Sequence, residues 1–197
     1  MGHSERIAIP EWLPEEAREL LRFACTRMQR SYKPVLVGIF IDKLPALEFP
    51  FEEVAEQFYA FYRDRAARGL PVERYPVTFM VNGTVDRQLC RKVAAQIIQV
   101  VFQASHGYAQ LRRGQVRLLR PEVWRAFGTP EVAAIARRIL QMALQRFYER
   151  IEAAGEAVYA RQEPAELQET DLLVSFLPDT DGRDDLFILW PADEEAD

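Results

Sequence analysis

Residues 34–41 read Pro-Val-Leu-Val-Gly-Ile-Phe-Ile, eight consecutive positions without a charged or amide side chain. A helix this apolar on every side has no face to give to water, so it belongs at the centre of a core with other helices packed around it. Pro34 suits its first turn, where the amide it lacks would have no intrahelical partner. No apolar stretch reaches the roughly 20 residues that a membrane span needs. The N-terminus also lacks the basic-then-apolar layout of a signal peptide. A soluble, cytoplasmic protein that does not engage a membrane is therefore expected.

The surrounding sequence supplies helices to cover that centre. One is predicted from about Pro14 to Arg30, with Ala17, Leu20, Leu21, Ala24 and Met28 at the helical period, and acids at its start facing Arg27 and Arg30 at its end. The apolar helix follows at 34–44, and Pro45 and Pro50 bracket a loop. A third helix at 51–68 places Phe51, Val54, Ala55, Phe58, Phe61 and Tyr62 on one stripe, with Gly69 as a left-handed C-terminal cap. The run Val77–Val81 reads as a short strand. Thr84 is read as the N-cap of a fourth helix reaching Ser105, whose apolar positions recur every four residues opposite a polar face of Arg87, Gln88, Arg91, Lys92, Gln96, Gln99 and Gln103.

His106 and Gly107 end that helix. Tyr108–Arg112 and Gln115–Leu119 then form a basic hairpin about the Arg113–Gly114 turn. Pro121–Trp124 begins a turn of helix. Thr129 and Pro130 start a long fifth helix, continuing toward Pro164. Asp171–Leu177 and Asp185–Trp190 read as two further strands joined around Asp181 and Gly182. The fold class expected is mainly α (α+β): a winged helix-turn-helix-like core with flanking helices and a small C-terminal β-hairpin. Residues 1–165 would form the helical domain, with the core at about 31–127 and the long helix at about 130–162. Residues 166–197 would carry the hairpin and an acidic tail packed on the same domain.

Charge is segregated along the chain. Residues 87–150 carry 12 basic and 3 acidic side chains, whereas 151–197 carry 2 and 14, although the whole chain has a net charge of only -5. A cationic segment of this kind is the footprint of a polyanion-binding surface, since Lys and Arg near phosphates release condensed counterions. It equally suits a solvated face balanced by the acidic end within one fold. In a winged helix the last helix enters the major groove and the hairpin touches backbone. The candidate nucleic-acid contacts are then Arg87, Gln88, Arg91 and Lys92 on the fourth helix, with Gln88 suited to base edges, and Arg112, Arg113 and Arg117 on the wing.

Three stretches, SYKPVLVGIFIDKL at 31–44, EEVAEQFYAFYRDRAARGLPVE at 52–73, and LRRGQVRLLRPEVWRAF at 111–127 followed by RILQMALQRFYERI at 138–151, together resemble an accessory domain of bacterial restriction and phage-defence proteins. The features that carry the resemblance are Tyr32 and Lys33 opening the apolar helix, the series Phe58, Phe61, Tyr62, Arg63, Arg65, Gly69 and Leu70, and the short strand leading into Pro121, Trp124 and a helix ending near Tyr148. In that family the domain is often attached to helicase or nuclease modules. The resemblance covers roughly residues 31–151 and implies an accessory or recognition role in DNA-processing defence machinery. No helicase or nuclease module accompanies it in these 197 residues, which implies a stand-alone DNA-binding subunit or a component that depends on such a partner.

Enzymatic readings fail on residue supply. The only lysines are Lys33, Lys43 and Lys92, and none follows an acid at the spacing of a metal-dependent nuclease of the PD-(D/E)xK type. His3 and His106 are too few for an HNH site; His106, at a helix end, suits a cap or a solvated turn. The Asp179, Asp181, Asp184 and Asp185 loop misses calcium-loop spacing, because Arg183 occupies the third ligand position. The glycines are isolated and form no phosphate loop. Cys25 and Cys90 lie far apart inside apolar helical patterns and read as buried thiols. No cofactor and no metal are expected.

The sequence therefore points to a non-catalytic DNA-binding or accessory component of a restriction or defence system. The rival is a protein-interaction subunit whose basic face binds an acidic partner or the chain's own acidic C-terminal segment. Trp124 and the Phe58, Phe61, Tyr62 stripe are read as core. Homo-oligomerisation through the long fifth helix is open.

Overall fold

A computed structural model describes residues 7–161. These form a mainly helical α+β fold in the order α1 (Glu15–Cys25), α2 (Tyr32–Lys43), β1 (Glu48–Pro50), α3 (Phe51–Ala67), β2 (Glu73–Arg74), β3 (Met80–Val81), β4 (Thr84–Val85), α4 (Arg87–Ile97) with a π-helical continuation at Ile98–Ser105, β5 (Ala109–Arg112), β6 (Gln115–Leu118), α5 (Pro121–Arg125), α6 (Pro130–Ala153) and β7 (Ala157–Val158). The strands expected at Asp171–Leu177 and Asp185–Trp190, and the acidic end, lie outside the described residues. None of the described helices is long and apolar enough to cross a membrane.

The apolar helix lies at the centre. Leu36, Val37 and Phe40 are fully buried, and α2 packs against α1, α3, α4 and α6. Phe40 meets Phe102 and Trp124 edge-on, with ring centroids 5.4 and 5.7 Å away. The buried Trp124 fastens the hairpin region to this core: its Nε1 donates to the carbonyls of Tyr108 at 3.0 Å and Leu119 at 2.8 Å.

The hairpin forms where expected. Arg113 and Gly114 both have positive φ, 50° and 72°, the left-handed pair that matches the twist of a two-residue hairpin. A third strand joins it: β1 pairs antiparallel with β6, giving the order β1-β6-β5 with Phe49 opposite Val116 and Glu48 opposite Arg117. This corrects the loop expected between Pro45 and Pro50. Pro50 ends the strand, where a missing amide costs no ladder bond, and the chain passes directly into α3.

Three further corrections concern boundaries. α1 stops at Cys25 rather than Arg30, because Thr26 is extended and Arg27 turns left-handed at φ 48°. The N-cap of α4 is Asp86, whose carboxylate accepts from the Leu89 amide at 2.8 Å. Thr84 lies instead in β4, paired with Val81 across the Asn82–Gly83 turn. Helix α6 ends at Ala153 rather than running toward Pro164: Gly155 at φ 69° lets the Gly155 and Glu156 amides bond back to Glu152 and Ile151, closing a Schellman motif. By the same device Gly69, at φ 64°, ends α3 as expected.

A buried polar network ties the β2–β7 pair to the helices. Glu73 and Ser31 are both fully buried. Glu73 Oε2 accepts from the Ser31 amide at 3.0 Å and from the Ser31 hydroxyl, while Oε1 accepts from the Arg74 amide at 2.8 Å. With its proton directed to Glu73, Ser31 Oγ accepts from the Tyr62 hydroxyl at 2.7 Å. Burial nevertheless pushes the Glu73 carboxyl above the usual carboxylate range.

Candidate nucleic-acid interface

Helix α4 and the hairpin turn both touch the start of α3. The Phe51 amide, an N-terminal helix donor with no intrahelical acceptor, donates to the Gly114 carbonyl in the hairpin turn at 2.9 Å. The Arg91 guanidinium of α4 lies over the Phe51 ring, 5.4 Å from its centroid. One residue of α3 thus touches both elements that carry the predicted contacts.

The two groups of cations are in different electrostatic situations. Arg87 and Arg91, four residues apart on α4, face Glu56 and Glu52, four residues apart on α3. Arg87 Nη2 lies 2.7 Å from Glu56 Oε2. Arg91 makes a fork to Glu52, with Nε donating at 2.9 and 3.2 Å and Nη2 at 2.6 Å. That fork holds the Glu52 carboxyl below its ordinary range and raises the Arg91 guanidinium above its own. All four side chains are exposed or half-exposed, so the pairs are water-screened fasteners between helices rather than a buried ionic core.

The hairpin cations have no carboxylate partner among the described residues. Arg112 and Arg117 alternate with the buried Val116 and Leu118 and so share the solvent face of the sheet with Gln110 and Gln115, while Arg113 lies in the turn. All three are exposed, and among the described residues no carboxylate forms an ion pair with any of them. Glu48 stands opposite Arg117 in register without pairing with it. On α4, Gln88 and Lys92 are exposed beside Gln96 and Gln99 on one polar stripe, with spacing that keeps them on one helical face.

The acidic partners Glu52 and Glu56 lie outside the cationic segment 87–150, so a sum of charge along the chain does not bring them to Arg87 and Arg91. Their spacing, matching that of the two arginines, is the signal that could have found them. Tyr32 and Lys33, which carry part of the resemblance, have local roles. The Tyr32 phenol is buried, and burial pushes it well above its usual range. Lys33 Nζ donates to the Phe23 and Thr26 carbonyls at 2.8 and 3.2 Å, closing the end of α1. Cys25 and Cys90 are free thiols, each pushed up to about 12 by burial. His106 is exposed, its ring beside that of Phe23 at 4.4 Å. Among the described residues no group of three or more His, Cys, Asp or Glu could hold a metal ion.

Comparison with protein-family models, with curated proteins and with solved structures returned no match for this chain.

Proposed function

We propose that the chain is a non-catalytic DNA-binding or accessory component of a bacterial defence or restriction system, with the β5–β6 hairpin neutralising phosphates and the polar stripe of α4 facing a groove. The observation that carries this reading is the set of exposed arginines on the hairpin, Arg112, Arg113 and Arg117, none paired with a carboxylate among the described residues, beside the start of α4. Unpaired guanidinium groups on a sheet face have no stabilising task and stay available for phosphate oxygens.

The element order supports a winged helix-turn-helix reading of residues 32–118. Two helices flank a short strand, a third helix follows, and the hairpin closes the unit. The sheet order β1-β6-β5 sets the short strand against the far strand of the hairpin. The 68–86 connection between α3 and α4 departs from that plan, since it is far longer than the three- or four-residue turn of a simple helix-turn-helix and contains its own hairpin. A helicase or nuclease would be the partner that the resemblance implies.

Fluorescence anisotropy with duplex DNA over a salt series tests the reading. Affinity should fall steeply with salt, and R112E/R113E/R117E should reduce the slope by about 0.9 for each phosphate no longer neutralised. Binding that ignores salt, or that survives the triple reversal, would sink the proposal. A second reading has its own observation. Arg87 and Arg91 are already paired with Glu56 and Glu52, which favours an interaction subunit whose remaining cations meet an acidic protein. No DNA binding at any salt would select it.

A further inference from the structure

A second cationic feature lies on elements that the DNA reading does not use. The end of α1, the start of α2, the end of the π-helical segment and the outer half of α6 surround a groove of about 1150 Å³. Its apolar floor is made by the half-buried Phe23, Ile7 and Ile9, which lie over the buried Met28 and Phe147. Its charged lining comprises Arg22, Arg27, Lys33, Arg146 and Arg150, and none of the described lining residues is acidic.

Arg22 is paired with Glu15 at 2.9 Å, but Lys33 and Arg150 are held in a manner that keeps their charge in place. Lys33 is half-buried and bonds two backbone carbonyls, and its ammonium lies 5.0 Å from the Phe23 centroid. Arg150 donates to the Met28 carbonyl and lies 5.5 Å from the Phe147 centroid. Carbonyl dipoles and ring faces fix the position of a cation without cancelling its net charge as a carboxylate would. Arg27 is exposed and stands at φ 48°, a conformation that favours glycine. An arginine there takes on backbone strain while adding a cation to the groove.

We propose that this groove binds an acidic, apolar-bearing peptide segment of a partner protein, with the apolar side chains on Phe23, Ile7 and Ile9 and the carboxylates on Arg27, Lys33 and Arg150. Charge complementarity selects an anion, and the apolar floor selects one that carries hydrocarbon. The volume exceeds the roughly 300–1,000 Å³ of ordinary small-molecule sites and suits a length of chain. A phosphodiester backbone would satisfy the cations but leave the floor wet. The proposal is independent of the DNA reading, because it shares none of the hairpin or α4 arginines.

The test uses the full chain and a fluorescein-labelled peptide of glutamate, leucine and phenylalanine, read by anisotropy. A control peptide carries serine in place of every leucine and phenylalanine, and unlabelled duplex DNA serves as competitor. The apolar peptide should bind and the serine peptide should not. Arg27→Glu should weaken binding about tenfold while melting like the parent, since Arg27 is exposed and without an ion-pair partner among the described residues. Arg150→Gln should weaken it in the same direction, and R112E/R113E/R117E should leave it unchanged. Equal binding of the serine peptide, indifference to Arg27→Glu, or displacement by DNA accompanied by an equal loss of DNA affinity in Arg27→Glu would each overturn the proposal, the last by making the groove a nucleic-acid site.

Discussion

The Phe51 amide donates to the Gly114 carbonyl across 2.9 Å, so the first residue of α3 is held by the turn of the β5–β6 hairpin. The bond prolongs the β1–β6 ladder by one step into the helix, and it satisfies an N-terminal helix amide that would otherwise need water or a side-chain cap. With Arg91 over the same ring, the hairpin tip, α3 and α4 share one junction. The two elements that carry the predicted contacts are therefore joined through packing rather than through sequence adjacency.

Trp124 is the other fastening of the hairpin region, and its role separates into shape and polarity. Trp124→Phe keeps most of the ring in contact with Phe40 but takes the Nε1 donor from the Leu119 carbonyl, while the Tyr108 carbonyl keeps the Leu119 amide at 2.8 Å. An unpaired buried acceptor costs about 1–3 kcal/mol, and for a domain of this size each kcal/mol lowers Tm by about 2–4 °C. Urea unfolding of the two proteins measures it. A loss below about 0.5 kcal/mol, the usual level for an inconsequential surface change, would mean that the indole N–H does not hold this corner.

Glu73 should make stability depend on pH in the direction opposite to a surface ion pair. Burial raises its carboxyl in the folded state, so the native protein binds more protons than the unfolded chain between the ordinary carboxylate pKa and the raised one. Its contribution is therefore fully present below the unfolded pKa and is lost as pH rises through the folded value. Glu19 and Glu52 act the other way. Both are lowered, Glu19 by hydrogen bonds from Arg120 and Tyr108 and Glu52 by those from Arg91, and their contributions are lost as pH falls. Comparing the parent with Glu73→Gln cancels these common effects. The difference in urea midpoint should shift against the parent as pH rises out of the carboxylate range. A difference that stays constant with pH would place the Glu73 carboxyl at an ordinary pKa.

How much of the fold is legible in the sequence depends on the range of the signal. The burial of α2, the stripe and Gly69 cap of α3, and the Arg113–Gly114 hairpin are local patterns and can be read directly. Asn82–Gly83 is an equally strong hairpin signal, but the strands on either side are two residues long, too short for alternation to show. Thr84 and Asp86 are both competent caps, and only the pairing of Thr84 with Val81 decides between them. The β2–β7 pair joins Glu73 to Val158, and no local pattern announces a partner that distant. The candidate interface is the least legible part, because charge summed along the chain ignores neighbours in space. Arg91 meets Glu52 across 39 positions, so both arginines expected at the start of the fourth helix are paired with carboxylates from a different segment.

That pairing supplies the sharpest test of which face meets DNA. The double substitution Glu52→Gln and Glu56→Gln removes two carboxylates and releases Arg87 and Arg91 while preserving side-chain shape. Exposed pairs of this kind contribute about 0–1 kcal/mol each, so the variant should remain folded with a modest drop in Tm. If α4 lies against a duplex, two cations become available to phosphates and two repulsive charges disappear. Affinity should then rise by about threefold to tenfold, and its salt dependence should steepen by up to about 0.9 for each arginine that gains a phosphate. Anisotropy with the same duplex and salt series used for the hairpin variant measures both quantities. An unchanged affinity and slope would mean that Arg87 and Arg91 serve only to fasten α4 to α3, and would confine phosphate contact to the hairpin.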